Sequence, residues 1–448
     1  MKIPMSPPAL GELLDPSKSE LLFKIFTAQI GACDEKGRYL HWDKLRHLSP
    51  PEGFSSKEYW CATYLARHKI KKNLPFLDKE GKPMNYCVPE PLWQKIVWIS
   101  ENATGAIEGD KTVIDEKTQK TYLIRSLIEE AINSSQLEGA STTRRVAKEM
   151  IRSRREPKDV SERMILNNHS ALKFISEMKA EEITPSMVFE LHSRLTKDTL
   201  DSGDSSGAFR KPEDDICVFD RNDDTKPVHI PPMASELPLR LKKLCDFINS
   251  SDKDGEYMHP IVKAVIAHFM IGYDHPFVDG NGRTARALFY WVMAKHDYWM
   301  MEYVSISKIL KESPASYMRA YLYSETDSND LTYFVDYQLD VVVKAIQALH
   351  SYLADKSRQI RETFLLLDRH DFKSRFNHRQ IFLMRNALEN PGQEYFIKTH
   401  QISHGIAYET ARKDLLSLSD SGLLKRYKSG NQDVFIAPPN LKEVLSDM

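Results

Sequence analysis

Two apolar runs, HPIVKAVIAHFMIGY from His259 to Tyr273 and ALFYWVMAKH from Ala287 to His296, stand on either side of HPFVDGNGRTAR, His275 to Arg286. Each run reads as an apolar helix. The chain therefore passes from one helix to the next through a histidine, an aspartate, two glycines around an asparagine, and two arginines. In Asp-Gly-Asn-Gly-Arg, residues tolerant of positive φ follow one another, and successive N–H groups in such a turn converge into an anion-binding nest. With the second helix beginning at about Arg283, its unpaired N–H groups and dipole aim at the same point. Arg283 and Arg286, three apart on one helix face, can fork onto phosphate oxygens. These features describe a seat for a polyphosphate.

His275 and Asp279 supply what phosphoryl or nucleotidyl transfer needs. A carboxylate beside a phosphate is repelled unless a cation lies between them, which makes Asp279 a magnesium ligand, with nucleotide and water as the others. A neutral imidazole of ordinary pKa at His275 can take the proton of an attacking hydroxyl. A plain turn, a structural histidine and surface ion pairs would each explain one of these features; none explains their conjunction.

At 448 residues the chain should hold two or three domains, and 41% hydrophobic with 28% charged residues describes a globular protein. A formal net charge of -1 gives no global pull toward nucleic acid or anionic membranes. Cys33, Cys61, Cys87, Cys217 and Cys245 form no CxxC pair, which argues against a disulfide framework or zinc knuckle and for a reducing compartment. The N-terminus lacks a signal-peptide core and no apolar run suffices for a membrane helix, so a cytoplasmic location is expected.

Residues 1–115 mix turns with aromatic segments and form an N-terminal accessory region. From about 122 to 139, YLIRSLIEEAINSSQLEG reads as a helix stopped by a glycine, and SERMILNNHSALKFISEM as another; a third starts at Thr184-Pro185. ICVF and KPVHIPP read as short strands around the turn DRNDDT, within 214–232. At 370–448, FNHRQIFLMRNALEN is an amphipathic helix, PGQEY a turn, ISHGIAYETARKDLLSLSDSGLL helix-turn-helix, and LLKRYKSGNQDVFIAPP a strand pair, together a winged helix. Glu409, Asp414 and Asp420 dilute its basic residues, which favours protein docking or packing over DNA contact. The basic run RRVAKEMIRSRR reads as a solvated helix face.

The stretch 275–286 resembles the Fic-family signature HxFx(D/E)GNGRxxR at every specified position, and its intact GNG separates it from the related Doc-type kinases. The resemblance, clearest over about 120–340, implies a mainly α protein: a Fic-type helical core (116–350) with a β-hairpin flap, accompanied by the accessory region and an α+β winged-helix domain. It implies AMP transfer from ATP to a serine, threonine or tyrosine hydroxyl with release of pyrophosphate. In the implied roles His275 is the base, Asp279 the Mg2+ ligand, Gly280, Asn281 and Gly282 the anion nest, and Arg283 and Arg286 phosphate binders. Val228 and His229, at the end of a flap that holds the target as an added strand, are expected near the nucleotide. Tyr317 is expected on the adenine side, with Met318 where a second aromatic is common. Asp274, where an apolar residue is usual, would raise the basicity of His275, and Ala285 is the other departure.

SSQLEG resembles the family's inhibitory signature (S/T)xxxE(G/N), with Ser134 and Glu138 in its key positions. In that role Glu138 pairs with Arg286 and displaces the γ-phosphate. The implied partners are ATP and a protein with an accessible hydroxyl, the chain itself included; the oligomeric state stays open. Two other readings remain: removal of AMP by the same site, with Glu138 placing a water, and a nucleotide-sensing winged-helix transcriptional regulator.

Overall fold

The computed structural model describes residues 2–9, 11, 14, 19–104, 116–220, 223–250, 257–367, 374–389, 392–429 and 432–447. The chain divides into two compact units, one of 1–108 with 114–349, the other of 109–113 with 350–448. It is mainly helical, with small antiparallel sheets.

In the first unit the helices Pro260–Asp274, apolar on nearly every side, and Asn281–Lys295, apolar from Ala287 to Ala294, are buried almost throughout. Around them pack Glu116–Leu137, Val160–Met178, Pro185–Thr196 and Leu237–Asn249. Local chemistry fixes these ends. Thr184 accepts from the Met187 N–H with Pro185 in the first turn, Asp159 accepts from the Glu162 N–H, and Gly139 takes φ +98 beyond the helix that ends at Leu137.

Two hairpins belong to this unit: β1 (Lys72–Leu77) with β2 (Pro83–Tyr86), and the flap, β3 (Val218–Asp220) with β4 (Asp223–His229). The flap strands differ from the expected ICVF and KPVHI. β4 already starts at Asp223, because Asp220 pairs with Asp223, so Asp223, Asp224 and Thr225 of the expected turn are strand. Arg221 and Asn222 lie outside the described residues. Residues near the N-terminus are bound into the same unit by Arg67, which is buried and donates to the carbonyls of Ala32 and Leu40 and to the Tyr333 hydroxyl.

The basic run forms the helix Arg144–Ser153 with its cations at the surface, Arg144 and Lys148 on Glu129, while Ala147 and Met150 turn inward. All five cysteines are free thiols. Among the described residues no helix is long and apolar enough to cross a membrane.

The second unit has its own core, including Leu415, Leu418, Leu423 and Phe435. Helices His378–Glu389, Ile397–His404 and Tyr408–Asp420 accompany a sheet ordered β5 (Glu394–Phe396), β7 (Gln432–Ile436), β6 (Lys425–Ser429). β5 falls where only a turn was expected. Asp414 also departs from expectation. Its carboxylate is buried and accepts from Arg379 at 2.8 Å and Asn377 at 2.8 Å, so it offsets one cation, Arg379, from inside the unit and not from its surface.

Candidate active site

The helix Pro260–Asp274 ends in a residue that breaks its handedness: His275 sits at φ 44 while its N–H still reaches Ile271 O at 3.1 Å. Asn281 closes the loop that follows. Its side-chain amide and carbonyl hold both the C=O of Phe277 (2.8 Å) and its N–H (2.9 Å). Gly280 precedes the next helix at φ +84, and a Cβ there would lie 2.7 Å from Thr196 Cγ2, so conformation and space both demand glycine. That helix starts at Asn281, not at about Arg283: the Thr284 N–H already bonds Gly280 O at 2.9 Å, closing the first turn over Asn281 and Gly282. The first-turn N–H groups have no acceptor within the helix and face outward from its end. Asn281 serves the loop with its side chain.

At this helix end stands a carboxylate. A Cβ on Gly282 would come within 2.3 Å of Glu138 Oε1, so the acid lies against the first turn. The same oxygen accepts from Arg286 Nη2 at 2.8 Å; Arg286 also donates through Nε to Ser134 Oγ at 3.0 Å and through Nη2 to Ser134 O at 3.1 Å. Arg286 is 1% exposed. The structure thus brings together Ser134, Glu138, Gly282 and Arg286, with Glu138 one residue past the end of its helix.

The two arginines do not point at one place. Arg283, equally buried, gives Nη2 to Asp279 Oδ2 at 2.7 Å and Nη1 to Leu195 O at 3.2 Å. The carboxylate of Asp279 is 57% exposed. Among the described residues no group of three or more histidine, cysteine, aspartate or glutamate side chains could hold a metal ion. An exposed carboxylate that shares one oxygen with Arg283 can offer the other to Mg2+, which dehydrates reluctantly and is bound largely through water and substrate phosphates.

The imidazole of His275 is partly buried, and burial pulls its pKa down to about 4, below the ordinary value expected. Its Nδ1 lies 3.2 Å from Gly272 O. A carbonyl can only accept, so the proton sits on Nδ1 and the lone pair on Nε2. Asp274 does not assist this ring: its buried carboxylate turns to Arg240 Nη1 at 3.2 Å, and burial pushes its pKa up to about 7.

His229 is buried, with Nδ1 on Glu325 Oε2 and Nε2 on Tyr273 O, both at 2.7 Å; Val228 beside it is half-buried. Both His229 nitrogens are thereby engaged with protein groups. The Tyr317 hydroxyl meets His268 Nε2 at 2.6 Å, and its ring packs edge-on against Tyr321 at 5.5 Å. Arg286 is among the groups acting on that hydroxyl, which puts Tyr317 at the Arg286 side of the site. Ala285 is fully buried.

Two supporting residues had no sequence signal. His192 stacks on Phe277 at 3.7 Å, accepts from the Gly207 N–H at 3.0 Å, and reaches Asp279 O at 2.8 Å, holding the loop from outside. Arg210 does the same from the other end through backbone carbonyls.

Residues 182–293 match the model of the Fic/DOC family. The chain is 34% identical over 127 residues to a protein adenylyltransferase Fic from Nematostella vectensis, covering 28% of this chain and 26% of that protein. It is 31% identical over 138 residues to the one from Drosophila ananassae, covering 30% and 24%. The chain thus spans about a quarter of the length of these curated relatives. A solved Fic family protein from Desulfovibrio desulfuricans has the same fold, with TM-score 0.51 at 18% identity over 77% of this chain and 94% of that one.

Proposed function

We propose that this Fic-family protein, related to characterised Fic adenylyltransferases, is an autoinhibited protein adenylyltransferase that moves AMP from ATP to a serine, threonine or tyrosine hydroxyl. The observation that carries the reading is the Glu138 carboxylate laid against both Gly282 and Arg286, with the same carboxylate among the charges that act on His275.

The target oxygen bonds to the α-phosphorus, the bond from that phosphorus to the α,β-bridging oxygen breaks, and pyrophosphate leaves. The hydroxyl proton passes to His275 Nε2. First-turn N–H groups at Gly282 and its neighbours hold phosphate oxygens with Arg286, and Arg283 joins them on release from Asp279. Asp279 would hold Mg2+, which adds positive charge over the phosphates when bound. The flap takes the target as an extra strand, with Val228 and His229 beside the nucleotide and Tyr317 on the adenine side. In this reading the domains run 1–115, 116–350 and 370–448, the last a winged helix.

Glu138 is the brake. It occupies the guanidinium that would meet the γ-phosphate and puts a negative charge at the phosphate seat. A misplacement of about 1 Å costs on the order of a hundredfold in rate. Glu138→Gly should therefore raise self-labelling from α-labelled ATP by roughly ten- to a hundredfold. Adding His275→Ala should remove about two orders of magnitude or more. Equal labelling of wild type and Glu138→Gly would remove the brake; labelling that survives loss of His275 would remove the base.

A further inference from the structure

Arg210 is a buried cation that no carboxylate pairs within salt-bridge distance among the described residues: it is 7% exposed and spends its donors on main chain. Its Nε donates to His275 O at 2.8 Å; Nη2 donates to Pro232 O at 2.5 Å and reaches Asp274 O at 3.4 Å. Its own N–H donates to Pro276 O at 2.9 Å. Three of these four carbonyls belong to the residues at and around His275, and the fourth follows the flap, three positions past the end of β4 at His229.

The contacts answer a local need. A non-glycine residue at φ 44 is in a sparsely populated region and persists only where its surroundings determine it. The turn at His275 throws several carbonyls to one side, and the planar guanidinium offers donors in a fixed fork that matches them. Burying an unpaired cation is costly, as its pKa lowered by desolvation reflects. Simple packing could be met by an apolar side chain. The charge is accounted for by strong bonds to carbonyls that no other side chain takes.

We propose that Arg210 is a positioning residue that locks the flap to the backbone of His275, so that a target strand laid on the flap presents its hydroxyl at Nε2. The inference rests on the adenylyltransferase reading above. In it, the flap sets where the substrate oxygen lies and His275 φ sets where the lone pair points; one guanidinium fixes the distance between them. Nucleotide contacts lie on other residues, at the helix end and at Val228 and His229, and His229 is held by Glu325 and Tyr273 O without Arg210, so Arg210 governs turnover and leaves ATP affinity alone.

The test uses full-length protein in the Glu138→Gly background, with self-labelling by α-labelled ATP as the reaction and calorimetric ATP titration as the binding probe. Arg210→Lys keeps the charge and can serve only part of the carbonyl set. It should lower the labelling rate at saturating ATP by about tenfold or more while the dissociation constant for ATP stays within about twofold. Arg210→Ala should lose more, and millimolar guanidinium ion should restore part of the lost rate. A lysine variant that labels at the parent rate overturns the proposal. So does a rate loss matched by an equal loss of ATP affinity, or a lysine variant that does not fold, since either assigns Arg210 to the fold. If the Glu138→Gly parent itself fails to label, the adenylyltransferase reading fails first.

Discussion

At the scale of single residues, the site works through tautomers and spare lone pairs. With Nδ1 committed to Gly272 O and a pKa near 4, His275 is neutral throughout the physiological range. The sign of its linkage follows. A histidine whose folded pKa is depressed destabilises the fold as pH drops from its unfolded value near 6.5 toward 4, because the unfolded chain takes the proton first. NMR of ring-labelled protein should show no titration of His275 between about pH 8 and 5.5; a midpoint near 6.5 would mean that the ring is solvated and the lone-pair assignment is wrong. His275, Asp279 and Arg286 were legible because their chemistry is concentrated in twelve consecutive positions. Arg210 and His192 were not. Their partners are carbonyls and one amide, which every residue carries, so no spacing of side-chain types announces them. The true partner of Asp274 was equally hidden, since Arg240 stands on another helix.

Among elements, the helix Glu116–Leu137 matters most, because it delivers Ser134 and Glu138 to the site. Its placement depends on rungs along one side. Ser126 donates to Tyr303 O at 2.7 Å, Glu130 accepts from Ser305 Oγ at 2.7 Å and from Ser307 N at 3.2 Å, and Lys311 reaches Gln136. Glu130 is the deepest of these, and burial pushes its pKa up. Glu130→Ala would leave the hydroxyls of Ser305 and Ser307 and the Ser307 N–H without their acceptor. It should cost about 1–3 kcal/mol in denaturant unfolding and raise self-labelling part of the way to the Glu138→Gly level. A variant as silent as wild type would show that the helix keeps its seat by packing alone. The helix itself was legible from its apolar spacing and terminal glycine. The flap strands were legible only in outline: Asp223 and Asp224 are poor strand formers, and pairing across the hairpin overrides that preference.

For the whole molecule, the two units carry separate cores, and the first 108 residues share a unit with the helices Pro260–Asp274 and Asn281–Lys295. Burial of Arg67 under Tyr39 and Tyr333 is one cause, joining segments too distant in sequence for periodicity to connect. Stability should accordingly be divisible. Leu415 is fully buried in the second core. Leu415→Ala should lower one of two calorimetric transitions, at a cost of about 2–5 kcal/mol, and leave the other and the labelling rate of Glu138→Gly protein in place. A uniform shift of a single transition would show that the units unfold together.

The absent side chain of Gly282 has a wider implication. On the adenylyltransferase reading, one small space at the helix end takes either the Glu138 oxygen or a phosphate's, and a methyl added there would lie 2.3 Å from Glu138 Oε1. Selection on that position therefore acts on silence and on turnover at once, and neither can be tuned at residue 282 without the other.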